Sequence, residues 1–87
     1  MQVEWIMYLR QPDGQYKIDF GANEKIIGSV RTLKFETRNA IVKLARKAVD
    51  EGKGILYPQL DGWYFSCPEG QTIEVPLKRR RKEAAVA

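Results

Sequence analysis

The sequence predicts an α+β fold: a small, mostly antiparallel sheet of about five strands with one helix packed on one face, in the order β-β-(β)-α-β-β-β. Three observations predict it. Apolar residues alternate with period two in the first third of the chain. A single central segment repeats its apolar residues at helical spacing. Short apolar runs punctuated by Asp, Gly and Pro follow that segment.

The opening stretch "VEWIMYLR" reads as a strand with Val3, Trp5, Met7 and Leu9 on one face and Glu4, Ile6, Tyr8 and Arg10 on the other. Both faces carry apolar residues, so something is expected to cover the second face as well. Pro12, Asp13 and Gly14 signal a turn. "YKIDF" then alternates cleanly, with Tyr16, Ile18 and Phe20 facing one way, which makes the first two strands an antiparallel hairpin. Gly21, Asn23 and Gly28 mark "GANEKIIG" as a loop or change of direction. "SVRTLKF" resumes as a third strand, with Leu33 and Phe35 on its core face and Arg31 at the rim.

"TRNAIVKLARKAVDEG" is the helix. Thr37 is placed to cap it, and Ile41, Leu44, Ala45, Ala48 and Val49 form its apolar stripe. Gly52 is the expected stop. Lys43, Arg46, Lys47 and Asp50 fall on the opposite face, where Arg46 and Asp50, and Lys47 and Glu51, stand four apart and can pair. Beyond the helix, "GILYPQL" and "WYFSC" flank Asp61-Gly62, a hairpin signal, and Ile73, Val75 and Leu77 share a face of the last strand. Pro58 and Pro76 assign their strands to an edge or an interruption.

The 87 residues fit one domain, assigned to 1–77, and the composition changes only after Leu77. Hydrophobic residues make up 44% and charged residues 30%, which is globular composition rather than that of a disordered chain. No apolar run is long enough for a membrane span, and the N-terminus does not read as a secretory signal. Cys67 is the single cysteine, which rules out an intramolecular disulfide and favours a cytoplasmic setting.

The formal charge of +4 is unevenly placed. Lys78, Arg79, Arg80, Arg81, Lys82 and Glu83 follow Leu77, and without them 15 basic and 11 acidic residues become ten of each. The body is neutral, and residues 78–87 are expected to form a separate, flexible basic tail. Five adjacent cations on such an arm neutralise phosphates without reading bases.

Catalytic chemistry has little to stand on. There is no histidine, so Ser-His and Cys-His nucleophiles and the usual Cys/His zinc sites are excluded within one chain. The carboxylates are scattered, and Asp50-Glu51, the single adjacent pair, diverges at the helix end. No metal, cofactor or catalytic residue is therefore expected. The leading expectation is a non-enzymatic accessory protein. It would contact DNA or RNA through Lys78, Arg79, Arg80, Arg81 and Lys82 together with Lys43, Arg46 and Lys47 on the helix. The alternative is a protein-interaction module, an inhibitor or adaptor, working through sheet aromatics. In "DGWYF", Trp63 and Phe65 are assigned to the core, and Tyr64, with Tyr8 and Tyr57, to an outward aromatic surface. Apolar residues on both faces of the first strand also raise a homodimer as an expectation.

Overall fold

The computed structural model describes residues 1–76. The basic tail expected at 78–87, and Leu77, lie outside them. Five antiparallel strands form the main sheet in the order β4-β3-β2-β6-β5, where β2 is Trp5–Arg10, β3 Tyr16–Ala22, β4 Lys25–Thr32, β5 Ile55–Gln59 and β6 Gly62–Ser66. Helix α1, Phe35–Asp50, crosses one face. A second, two-stranded sheet joins β1 (Gln2–Val3) to β7 (Ile73–Glu74). The expected α+β architecture is the one observed.

The first predicted strand is divided in two. At Glu4 the chain bends: its N–H donates to Gly21 O at 2.7 Å and its O accepts from Cys67 N–H at 2.8 Å. Val3 belongs to β1, while β2 starts afresh at Trp5. The alternation therefore changes phase, and Val3 is buried together with Ile6 and Tyr8 rather than with Trp5, Met7 and Leu9. The expected core face of the first strand is thus the wrong one for β2.

Strand β3 follows expectation, with Ile18 and Phe20 buried, but it continues through Gly21 and Ala22. The loop expected next is a two-residue hairpin turn. Asn23 and Glu24 both adopt positive φ, 55° and 65°, the backbone pair that suits the right-handed twist of the flanking strands. Glu is a rare occupant of that conformation, which hides the turn in the sequence.

Leu33 and Phe35 are not core residues. Strand β4 stops at Thr32, whose Oγ1 accepts from the N–H of Lys34 at 2.9 Å and turns the chain. Leu33 is left 69% exposed and Phe35 55% exposed. Phe35 already opens the helix, so Thr37 lies within the first turn; Lys34 is the N-cap residue, and no side chain caps it. Ile41, Ala45 and Ala48 are buried as expected, with Leu44 and Val49 partly so. The helix ends in a Schellman arrangement: Lys53 N–H donates to Ala48 O and Gly52 N–H to Val49 O, with Gly52 at φ 74°.

The β5–β6 hairpin forms where the Asp-Gly signal implied, but its turn pair is Leu60-Asp61 rather than Asp61-Gly62, since Gly62 already belongs to β6; Pro58 sits in an edge strand. Gly62 is required by a close approach rather than by a positive φ. A Cβ there would collide with the carbonyl oxygen of Tyr8 on β2. Trp63, Phe65, Ile73 and Val75 complete the core. Burial of each large side chain contributes about 1.5–3 kcal/mol, a substantial share for so small a body.

Replacing Gly62 with Ala forces β6 away from β2 at the centre of the sheet. Urea denaturation is expected to show a loss of about 3 kcal/mol.

Candidate binding faces

The register of the main sheet assigns every strand residue to one of two faces. On β2, Ile6 and Tyr8 point toward α1, and their neighbours Phe20, Ile18, Phe65 and Trp63 do the same. The other face collects Trp5, Met7 and Leu9 from β2, Tyr64 from β6, and Ile55 and Tyr57 from β5. No described element covers it. Ile55 and Tyr57 are exposed, and Trp5, Met7, Leu9 and Tyr64 are half-buried among one another.

Three aromatic rings form a row across this face. Trp5 and Tyr64 have centroids 6.2 Å apart at 31°, and Tyr64 and Tyr57 are 6.0 Å apart at 34°. Trp5 is seated by its cross-strand partner, Gly21. A Cβ at that position would overlap the indole, so glycine lets the ring lie against the backbone of β3. The polar side of the same face carries Lys17, Arg31, Asp19 and Ser29. Asp19 is buried, accepts a hydrogen bond from the Ser29 hydroxyl, and stands 3.8 Å from Lys17 Nζ. The one carboxylate of the face is therefore engaged beneath the surface.

The sequence placed Tyr8, Tyr57 and Tyr64 on an outward surface. Tyr57 and Tyr64 are there, with Tyr57 44% exposed. Tyr8 is not. It is 6% exposed and stacks on Trp63 at 5.5 Å beneath the helix. Its place in the aromatic row is taken by Trp5, which the alternation of the first strand had put on the face opposite Tyr8. The change of phase at Glu4 makes the exchange. A Gly opposite the Trp was the available signal, but it is readable only once the β2–β3 register is known.

Lys43, Arg46 and Lys47 are all exposed on the outer side of α1. The pairs expected with Asp50 and Glu51 do not form: Glu51 pairs instead with Lys53 at 3.3 Å, and the three cations have no described carboxylate within ion-pair distance. The sheet lies between this basic patch and the aromatic row, so the two face opposite directions. Lys78, Arg79, Arg80, Arg81 and Lys82 lie outside the described residues. Among those described, no three His, Cys, Asp or Glu side chains gather as a metal site would require, and no helix is long and apolar enough to cross a membrane.

Cys67 is half-buried, with Sγ 3.7 Å from Val3 O. Burial, and secondly the charge of Glu4, push its thiol above the usual range, against a smaller opposing effect from a backbone hydrogen bond at Ile73. No protein-family model, curated protein or solved structure matches the chain.

Three outcomes follow from these placements. In a Trp63→Phe variant the remaining Trp5 is quenched several-fold more by acrylamide than Trp63 is in a Trp5→Phe variant. Cys67, holding its proton more tightly than a free thiol, reacts with a disulfide reagent more slowly than free cysteine at pH 8. The stability gained from that raised pKa is complete below the range of a free thiol and is lost as pH rises through the folded value, which a denaturation series on the alkaline side measures.

Proposed function

We propose that this chain is a non-enzymatic binding module that holds single-stranded DNA or RNA against its uncovered sheet face, largely without reading sequence. The row Trp5–Tyr64–Tyr57 carries this reading. Rings about 6 Å apart on three adjacent strands offer successive surfaces on which bases stack. Each stacked base contributes about 1–3 kcal/mol whatever its identity.

Electrostatics agree with the location. The face exposes Arg31 and part of Lys17, and its carboxylate is buried and hydrogen-bonded, so phosphates meet no exposed negative charge there. The neutral body supplies little long-range attraction, a role left to Lys78, Arg79, Arg80, Arg81 and Lys82 in the tail. In this reading Lys43, Arg46 and Lys47, on the far side of the sheet, are not part of the primary contact. They give a separate patch that a longer strand reaches only by wrapping around the molecule.

A second reading rests on Met7, Leu9 and Ile55, which lie beside the rings and give the face the apolar, aromatic make-up of an interface core. Here the partner is a protein, and the tail is incidental.

Anisotropy titration with labelled oligo-dT and oligo-U separates the two. The full chain binds at low salt, and Tyr57→Ala and Tyr64→Ala each weaken binding about 5- to 100-fold. Ending the chain at Leu77 flattens the salt dependence by up to about three units of slope. A triple Ala replacement of Lys43, Arg46 and Lys47 changes affinity little; a loss as large as that of the tyrosine variants would move the site to the helix. Failure of the full chain to bind either oligonucleotide at low salt rejects the proposal and leaves the protein-partner reading.

A further inference from the structure

Asp19 is the one buried charged side chain among the described residues, and base stacking gives it no task. It lies on the open face of the sheet, where its cross-strand partners are Met7 and Ser29. A carboxylate out of water is costly unless donors meet it. One oxygen accepts from the Ser29 hydroxyl, and the other stands 3.8 Å from Lys17 Nζ. The first of these bonds fixes the chemistry of Ser29. An ionised carboxylate only accepts, so the serine proton is committed to Asp19. A hydroxyl has one proton to give and two lone pairs, so toward a ligand Ser29 Oγ is an acceptor alone. Ser29 is exposed on an edge strand, on the face that no described element covers.

Trp5 seats a base beside that serine. Its indole lies against Gly21, which is two residues along β3 from Asp19 and on the same face. Two residues of strand span about 7 Å and neighbouring strands stand about 4.8 Å apart, so Ser29 lies roughly 8 Å from the seat of the ring. One nucleotide bridges that separation, with its base on the indole and its ribose toward β4. Arg31 is the next residue of β4 on this face. It is exposed and has no carboxylate within ion-pair distance among the described residues. Its direct cross-strand partner is Lys17, and like charges in such register repel unless an anion joins them. Along β3 and β4 the face therefore presents a ring, then an acceptor, then a pair of cations, which is the order base, ribose, phosphate.

We infer that the ligand of this face is RNA rather than DNA. Ser29 Oγ accepts a hydrogen bond from the ribose 2′-hydroxyl of the nucleotide stacked on Trp5, and Lys17 and Arg31 hold its phosphate. The 2′-hydroxyl is the donor that DNA lacks. This inference rests on the single-strand reading of the sheet face and adds the sugar to it. A base N–H is the other donor that a nucleotide carries, and comparing ribose with deoxyribose on the same base separates the two.

The test titrates the full chain, at one low salt concentration, with labelled oligo-U, oligo-dU and 2′-O-methyl oligo-U of equal length. Oligo-U is expected to bind about 2- to 10-fold more tightly than either of the others, the worth of one net hydrogen bond. Ser29→Ala removes the difference and leaves the oligo-dU affinity in place, while Ser29→Thr, which keeps a hydroxyl, retains it. Lys17→Gln combined with Arg31→Gln weakens all three alike and lowers the salt slope by up to about 1.4 units. Equal affinity of the full chain for oligo-U and oligo-dU overturns the inference while the single-strand reading stands, and so does a preference that survives in Ser29→Ala. Should Ser29→Ala not fold, 2′-O-methyl oligo-U decides on the unaltered chain, because binding as tight as that of oligo-U means that no 2′ proton is donated. Binding of none of the three removes the single-strand reading and this inference with it.

Discussion

Glu4 is tied on both sides by its backbone, to Gly21 on one neighbouring strand and to Cys67 at the end of another, and those two hydrogen bonds fix where β2 begins. Strand β2 is the middle of five, so its phase is passed through the registers of β3 and β6 to the whole sheet. With Trp5 as the first residue, Ile6 and Tyr8 meet the helix and Trp5, Met7 and Leu9 do not. One residue of slip would exchange the two sets. What the molecule hides and what it presents both rest on this one bend.

The consequence for function is a division of the surface. A sheet with one helix has one covered side and one open side. Here the open side holds a row of rings with no exposed carboxylate beside them, while the exposed lysines and arginine of α1 look the other way. A single ligand does not engage both without bending around the molecule. The neutral charge of residues 1–77 is therefore not a uniform neutrality: Lys43, Arg46 and Lys47 are exposed together on the helix, whereas the one acid of the open sheet face, Asp19, is buried and hydrogen-bonded.

Much of the fold was legible in the sequence because local signals governed it. The alternation of Tyr16, Ile18 and Phe20, the apolar stripe of the helix with Gly52 beyond it, the Asp61-Gly62 hairpin and the core placement of Trp63 and Phe65 all depend on neighbours in the chain. The open face was not legible. Both phases of residues 3–9 are apolar, so period two cannot choose between them. The choice is made at the Glu4 bend, by backbone bonds to Gly21 and Cys67, both far along the chain. Tyr8 and Trp5 were exchanged for that reason. Leu33 and Phe35 misled in another way, since their spacing imitates a strand and only the Thr32 side chain, turning the backbone, shows that the strand has ended. Arg38, in the first turn of α1, rests over the Tyr8 ring, a contact that no local signal announces and that exists only with the helix docked on the sheet.

The two edges of the main sheet are not equivalent. Strand β5 carries Pro58, which removes a backbone donor, while β4 offers eight residues without proline along its free side. Lateral growth of this sheet, whether by a second copy or by an unrelated extended chain, is therefore polarised toward β4. Lys25 and Arg31 near the two ends of that strand act as charged guards against it. Self-association by strand addition has a preferred side, and suppressing it in a concentrated solution is a matter of one strand rather than two.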